Sequence, residues 1–578
     1  MTTDDRHEEL YRRVTSSSMS RRHLLRVSTG LVGAGMLSTL LAACGEDDGG
    51  DEPGAQTDTD TDTNSPTEPA ADDTSETPAG TDSASEPPGD GVMGGLLRVA
   101  IIGEPPAFDP TFTTATVTQN TTWHVFESLF YPDANFAPQP MLLESFEVEE
   151  NGAVFVFHIR ENVPFHNGEM VAADDVIASL QRYAELSGRG RTLFERVESL
   201  EADDELTVRM TFSAPTGIAP IYLSQTDAII IPKEIAEASM AGEMTEFIGT
   251  GPFMLNERLP DRYISLLRFE DYAKLDVGPD GYGGGKTAYF DEIRFVPVPE
   301  AAVRSDGLIT DEYDFAETLS TDQFESLSSQ PELEMQVALP YYFYGAHFNK
   351  SEESMMSNRD LRMALLTAVD MEPIARAGFG PEQFWRLGPE IAAPETAWYS
   401  EAGSEIYNQA DPDKAKQMLQ DAGYDGTPIR WISTKEYSYN YNMALVLKEQ
   451  LEAIGAVIDL QVMDWATLVA TRSQKPSWDV FITGHDSYRH PVLQVFLNET
   501  WPGFWANEEK DEIITKIIEE PDPAVQMEHI TALQQVWWED AAMIKVNEGA
   551  TLRGYRTRLE GYASLPDWFF WNAWFAEE

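Results

Sequence analysis

The run from residue 411 to residue 491 constrains the fold more than any other part of the chain. "DPDKAKQMLQDAGYDG" opens with Asp411 in the N-cap position and Pro412 at the first helical position. It sets Ala415, Met418, Leu419 and Ala422 on one face and stops at Gly423. "IRWIST" follows as a strand. The next helix carries Ala444, Leu447, Leu451 and Ile454 on one side and ends at Gly455. "VIDLQVMD" then alternates, with Ile458, Leu460 and Val462 expected to face inward. Asp464 is placed to cap a helix through Ala470, and "WDVFITG" reads as a further buried strand. Strand, helix, strand, helix, strand is the pattern of a parallel sheet with right-handed crossovers. Ligands of such open sheets bind beyond the carboxyl ends of the strands. Here the third strand runs into "GHDSYRHP", Gly484 to Pro491.

The N-terminal half reads differently. "LLRVAI" is an apolar strand and "AVFVFHIR" alternates as strands do. "PFHNGEMVAADDVIASLQRY" is a turn followed by a helix, with Asp174 and Asp175 in the first helical turn and Val176, Leu180 and Tyr183 on one face. Mixed strands and helices predict an α+β lobe beside the parallel one. Residues 96–578 are too many for one hydrophobic core, so two or more lobes are expected.

Ahead of these lobes stands the only cysteine of the 578 residues, Cys44. A single cysteine excludes an internal disulfide framework and zinc sites built on several thiolates. "SRRHLLR" and a small-residue apolar run, Val27 to Ala43, lead into it. A charged front, a greasy middle and a small-residue exit make an export signal. Arg21 and Arg22 resemble a twin-arginine signal, and Leu41-Ala42-Ala43-Cys44 resembles a bacterial lipoprotein box. That resemblance implies cleavage before Cys44 and lipid on its thiol. An uncleaved anchor is the other reading, for which the run is at the short limit of a spanning helix.

Residues 45 to 95 contain fifteen Asp or Glu, no Lys or Arg and no aromatic residue. Such a segment cannot bury enough apolar surface to offset its ordering entropy, so it is read as a disordered tether. The whole chain carries −58, from 98 acidic and 40 basic residues. Taking away the fifteen acids of the tether and the +2 of residues 1–44 leaves −45 on residues 96–578. Nucleic acid, a polyanion, is therefore excluded as a partner. The acid surplus serves surface solvation or the attraction of cationic ligands.

Several stretches together resemble the family-5 extracellular solute-binding proteins, the oligopeptide, dipeptide and nickel receptors of ABC importers. "VPFHNGEMVAADDVIASLQRY" is similar to the family signature. "EPPAFDP", "VFESLF", "GTGPFML", "YFDEIRFVPVPE", "NRDLRMALLTAVD" and "DPDKAKQMLQDAGY" follow in the family's order. The resemblance implies an α/β, two-lobed periplasmic-binding-protein-like fold of type II, in its large three-subdomain variant, with a ligand cleft between the lobes. By that similarity, 1–43 is the signal peptide and 44–95 the lipidated cysteine and linker. Lobe I is 96–337 with 131–225 as its subdomain, lobe II is 338–536, and 537–578 returns to lobe I. The implied function is capture of a small solute, a peptide above all, by hinge closure, and its delivery to ABC permease subunits. The chain would be a monomer held on the membrane through Cys44, facing the periplasm or cell exterior, with no cofactor.

Candidate ligand-binding residues follow from the same comparison. The first crossing into lobe II reads "LPYYFYGAHFNK", which offers Tyr342 and Tyr344 on one face of a strand; a pair of core tyrosines is the plainer reading. After "FDP", Thr113 and Thr114 offer hydroxyls that contact ligand or cap a loop. Peptide receptors of the family place an aspartate three residues after a Gly-Trp pair to hold the peptide's amino end. This chain has Gly484-His485 there, Tyr488 at the aspartate's position and Asp486 two residues early. His485, Asp486 and Tyr488 are thus candidates, with amine recognition in question. Trp501 and Trp505 in "ETWPGFWANEE" suit stacking or the packing of a lobe edge.

Enzymatic and metal chemistry find little footing. His485 and His490 flank Asp486, but no further metal ligand is set by spacing. "GYGGGKT" has Asp280 where a phosphate loop needs glycine and lies before a strand rather than between strand and helix. No G-x-S-x-G or H-E-x-x-H is present. A secreted hydrolase remains as the alternative of a different class, and an oligosaccharide or nickel complex as the alternative solute.

Overall fold

The computed structural model describes residues 91–576 apart from Thr114, Glu436 and Ser564. Cys44, the export signal, the acidic tether and Thr114 lie outside the described residues. Among the described residues no helix is long and apolar enough to cross a membrane.

One mixed sheet of eleven strands runs through the described region. At one end lie Ile458–Val462, Ile429–Ser433 and Val480–Asp486, with the middle strand parallel to both neighbours. The helices Ser438–Ala453 and Trp465–Arg472 make the two crossovers. This is the strand-helix-strand-helix-strand order that the periodicity predicts. The predicted stop signals act through backbone geometry, since Gly423 and Gly455 have φ of +77° and +103°. Asp411 and Asp464 cap as expected, accepting from the amides of Lys414 at 2.9 Å and Thr467 at 2.8 Å. One expectation fails: Val462 is exposed rather than inward, because Ile458–Val462 is the edge strand and the sheet's cover ends before it.

Two long strands carry the chain between the lobes. Leu333–Phe348 goes out, Met543–Arg556 returns, and they pair antiparallel along most of their length. Beyond them the sheet continues through Phe315–Ala316, Leu96–Ile101, Glu292–Pro297, Tyr263–Arg268 and Phe253–Leu259. Here Val99, Phe253 and Phe295 form a second core, which the C-terminal tail joins through Trp568 and Phe570. Trp537 and Trp538, just ahead of the returning strand, pack in the core around the parallel strands.

A separate four-stranded antiparallel sheet, Leu143–Glu149, Val154–Ile159, Thr207–Phe212 and Val197–Asp204, has its own core. Helix Ala173–Leu186 covers it with the predicted face, Val176, Leu180 and Tyr183, each 0% exposed. Burying one apolar stripe against a sheet is what stabilises a helix of this length, which is marginal alone.

Candidate ligand cleft

The strand Val480–Asp486 pairs with the outgoing strand so that Asp486 lies opposite Tyr342 and Gly484 opposite Tyr344. This register delivers residues 487–490 to the edge where the two lobes meet. There a cavity of about 80 Å³ is walled by both lobes. Trp398, Tyr488, Arg489 and His490 come from one lobe. The other lobe contributes Trp123, Tyr131 and Phe136, the Tyr282–Lys286 loop, and Asp567 and Trp571 of the tail.

The walls are largely aromatic. The Trp123 ring lies 4.9 Å from Tyr282 and 6.0 Å from Trp571, and Phe136 lies 5.4 Å from Tyr488. The loop of "GYGGGKT" builds part of this wall. Gly283 sits so close under Tyr131 that a Cβ would come within 2.2 Å of the ring, and Gly284 has φ of +66°. The loop carries Lys286 to the cleft, where Nζ donates to Glu127 Oε1 at 3.0 Å and stands 4.6 Å from the Trp571 ring. Tyr272 and Thr250 complete the hydrogen bonding of the Glu127 carboxylate. A buried ion pair tolerates desolvation only when its remaining valences are met in this way.

Arg489 is the polar centre of the opposite wall. Its Nε donates to Asp486 Oδ2 at 2.7 Å, and Nη1 reaches across to Gln225 Oε1 at 2.7 Å. Nη2 points to Gln119 Oε1 at 3.4 Å. Burial works against its charge, but Tyr488, Asp486 and Asp567 outweigh that and hold the guanidinium firmly protonated. Tyr488 is 5% exposed and donates through Oη to Asp567 Oδ2 at 3.0 Å, a second link between lobes. Burial pushes the Asp567 carboxyl up from its ordinary range, against the pull of Arg489 and Arg553.

Of the residues singled out in the sequence, Tyr488 lines this cavity, whereas Asp486 lies opposite Tyr342 on the neighbouring strand and is paired with Arg489. Tyr342 is half-buried, and the Asp486 charge, with burial second, drives its hydroxyl well above the usual phenol range. Tyr344 shares its face, with ring centroids 6.1 Å apart, but is wedged between Phe379 and Tyr439 at 8% exposure. His485 goes the other way. Neighbours along a strand face opposite sides, so its ring enters the lobe core against Phe343 and Phe496, with Nε2 2.8 Å from His347 Nε2. Burial pushes it down to about 3. Trp501 packs on this histidine pair, and Trp505 is 1% exposed with Nε1 donating to Asp540 at 2.6 Å. Trp505 therefore holds the lobe together, whereas Trp501 is part-exposed and lines a second cavity of about 740 Å³. Thr113 Oγ1 accepts from the Ala115 amide at 3.3 Å, closing the turn behind the buried Asp109–Arg182 pair.

The sequence reading missed Arg489, Asp567 and most of the aromatic wall. Arg489 stands next to Tyr488 in the sequence, and nothing local marks it apart from any other loop arginine. Asp567 had one signal, a lone acid in the aromatic run "LPDWFFWNAWF". Among the described residues no three His, Cys, Asp or Glu side chains are grouped to hold a metal ion.

Two lobes joined by a pair of crossing strands, with cavities between them, define a solute-binding protein of the periplasmic-binding-protein fold. Residues 137–527 match the bacterial extracellular solute-binding proteins, family 5 (middle region), and the chain belongs to that family. It is 27% identical over 500 residues to the probable peptide ABC transporter periplasmic-binding protein y4tO of Sinorhizobium fredii, covering 80% of this chain and 91% of the relative. It is 26% identical to the oligopeptide-binding protein AppA of Bacillus subtilis, covering 75% and 82%. The crystal structure of the ABC transporter substrate-binding protein CtaP of Listeria monocytogenes superposes with a TM-score of 0.73 at 20% identity, over 84% of this chain and all of that one.

Proposed function

We propose that the chain is a lipid-anchored receptor that closes on a small solute, a peptide above all, and hands it to an ABC permease. The observation that carries this reading is the pair of polar links across the cleft, Arg489 to Gln225 and Tyr488 to Asp567. A solute held between the walls that these links join favours the closed form by its differential contacts, and a permease can read that form. Peptide is favoured because two relatives that align along most of the chain are named for peptide binding. The lobe limits 96–337, 338–536 and 537–578 and the anchor at Cys44 belong to the same proposal. Binding and release need no bond chemistry.

A ligand bound only by the folded state raises its stability, by about 2.7 kcal/mol at a hundredfold excess over Kd. Purified chain challenged with peptide pools is expected to melt several degrees higher, and native mass spectrometry then identifies the bound member. If no peptide pool stabilises the chain, peptide reception is wrong. Intact-mass spectrometry of the membrane-extracted chain is expected to show a mature protein that begins at Cys44 and carries acyl chains, and a chain without acyl mass would refute lipidation.

A further inference from the structure

The tripeptide Asn-x-Ser/Thr, with x other than proline, is the acceptor pattern for N-linked sugar. It occurs at three places: Asn120-Thr121-Thr122, Asn349-Lys350-Ser351 and Asn498-Glu499-Thr500. A sugar is too bulky for an interior, so burial sorts the three. Asn120 lies within the helix Thr116–Thr122 at 3% exposure. Asn349 is 0% exposed, and its Nδ2 donates to the carbonyls of Lys475 at 2.6 Å and Trp478 at 2.8 Å. Of the three, Asn498 alone stands exposed, in the loop between the short turn Val495–Leu497 and the helix Glu508–Glu519.

The local geometry suits the reaction. The Asn498 carbonyl accepts from the Trp501 amide at 3.0 Å, which makes 498–501 a tight turn. Within it Asn498 Oδ1 accepts from the Thr500 amide and from Thr500 Oγ1, each at 2.8 Å. Both bonds fall on the oxygen, so the amide nitrogen is left to react, and the hydroxyl that the pattern requires is already seated on the same side chain. Ser351 makes the corresponding bond to Asn349 Oδ1 at 2.7 Å, so accessibility rather than turn shape separates these two sites. Space is present as well. Asn498, Glu499, Thr500 and Trp501 line the cavity of about 740 Å³ together with Arg189 and Thr192 of the subdomain. Val495 is 52% exposed and Trp501 part-exposed, an apolar surface on which a sugar ring can rest.

We propose that Asn498 is an N-glycosylation site, modified on the outer face of the membrane. Nδ2 attacks the anomeric carbon of a sugar carried on a membrane lipid phosphate. The N–C bond forms, the C–O bond to phosphate breaks, the lipid phosphate leaves with the bonding pair, and the amide loses one proton. A cellular transferase outside this chain brings the donor and the base, and Thr500 is a positioning residue. The inference goes beyond the receptor reading and needs of it only export, since it holds whatever solute the cleft takes. The twin-arginine resemblance implies passage of the folded chain, so the transferase meets a finished surface. The attached sugar covers Val495 and Trp501 at the seam between subdomain and lobe.

The test uses the full-length chain, extracted in detergent from the cells that naturally export it and digested with trypsin. The fragment His490–Lys510 carries Asn498. Tandem mass spectrometry is expected to place sugar mass on Asn498 and to find the fragments holding Asn120 and Asn349 bare. Asn498→Gln and Thr500→Ala are expected to lose the sugar, and Thr500→Ser to retain it. Should these variants fail to fold, the fragment from the unaltered chain decides alone. A bare His490–Lys510 fragment on a chain whose signal has been removed overturns the proposal and leaves the receptor reading standing. Sugar that persists in Asn498→Gln overturns it equally. A chain that keeps residues 1–43 and stays inside the cell overturns export, and with it both readings.

Discussion

Arg489 Nη1 lies 2.7 Å from Gln225 Oε1, a contact between residues 264 positions apart that joins the end of the parallel sheet to the antiparallel subdomain. Because the same guanidinium donates to Asp486 within its own lobe, its fork is oriented before the lobes meet. Closure then orders one glutamine rather than two long side chains, which keeps the entropic cost low.

Replacing Arg489 by lysine keeps the charge but removes the planar fork, so the links to Asp486 and Gln225 cannot be made together. Solute affinity is expected to fall by about tenfold, the scale of one charge-assisted hydrogen bond. Melting temperature without ligand is expected to change little. Small-angle scattering with and without a stabilising peptide checks the cause, since the variant should compact less at the same ligand concentration. Unchanged affinity would show that Arg489 plays no part in closure.

What the sequence made legible is what periodicity encodes. Helices such as Pro412–Asp421 announce themselves by cap, stripe and glycine stop, and the parallel order follows from their alternation with strands. Parity along a strand also carries information, for it puts Asp486 and His485 on opposite sides once the register with Tyr342 is known. That register is a long-range property and could not be read from residues 480–490 alone. The cleft wall is harder still. Trp123, Phe136, Tyr282, Trp398 and Asp567 come from five separated segments, and an aromatic residue in any one of them looks like ordinary core. Trp505 illustrates the converse, a tryptophan that suited stacking and proved to be packing.

Trp505→Phe separates these two roles. The ring is fully buried and its Nε1 bonds Asp540, so the substitution leaves a cavity and an acceptor that has lost one partner. A loss of roughly 1–3 kcal/mol is expected in urea unfolding, with solute affinity unchanged. A fall in affinity without loss of stability would return Trp505 to the list of ligand contacts.

Gly217 tests closure from the other side of the molecule. Its amide donates to Ile518 O at 2.8 Å and Thr216 Oγ1 to the same carbonyl at 2.9 Å, both reaching the helix Glu508–Glu519 of the opposite lobe. A Cβ on Gly217 would lie 1.9 Å from Glu520 O, far inside contact distance and against backbone. Opening of the lobes relieves that clash, whereas neither lobe need rearrange internally. Gly217→Ala is therefore expected to shift the population toward the open form, lowering affinity by roughly the fraction of closed form lost. The ligand-free unfolding free energy should fall by less than the binding free energy. Affinity equal to that of the unaltered chain would mean that this contact persists in both forms or is dispensable.

His490 gives the chain a definite response to acid. Its Nδ1 accepts from the Val492 amide at 3.1 Å, its ring is 1% exposed, and burial pushes it down to about 3. Unfolded histidine titrates near 6.5. Because the folded value is the lower one, the unfolded chain binds the proton first, so stability is whole above about pH 6.5 and declines as pH falls toward 3. At pH 5 this one group should cost about 2 kcal/mol relative to pH 7. His124, His485 and His166 act in the same direction, at about 3, 3 and 4. Burial raises Glu317, Glu548 and Asp567, and these oppose the loss as they take up protons in the folded state. Comparing the unaltered chain with His490→Asn at each pH cancels the other groups, since asparagine can still accept from the amide two residues on but does not titrate. In urea unfolding without ligand, the variant should gain about 2 kcal/mol on the unaltered chain between pH 7 and pH 5. A constant difference between the two proteins across that range would show that His490 does not titrate there in the unfolded chain alone, and the buried neutral histidine would have to be given up.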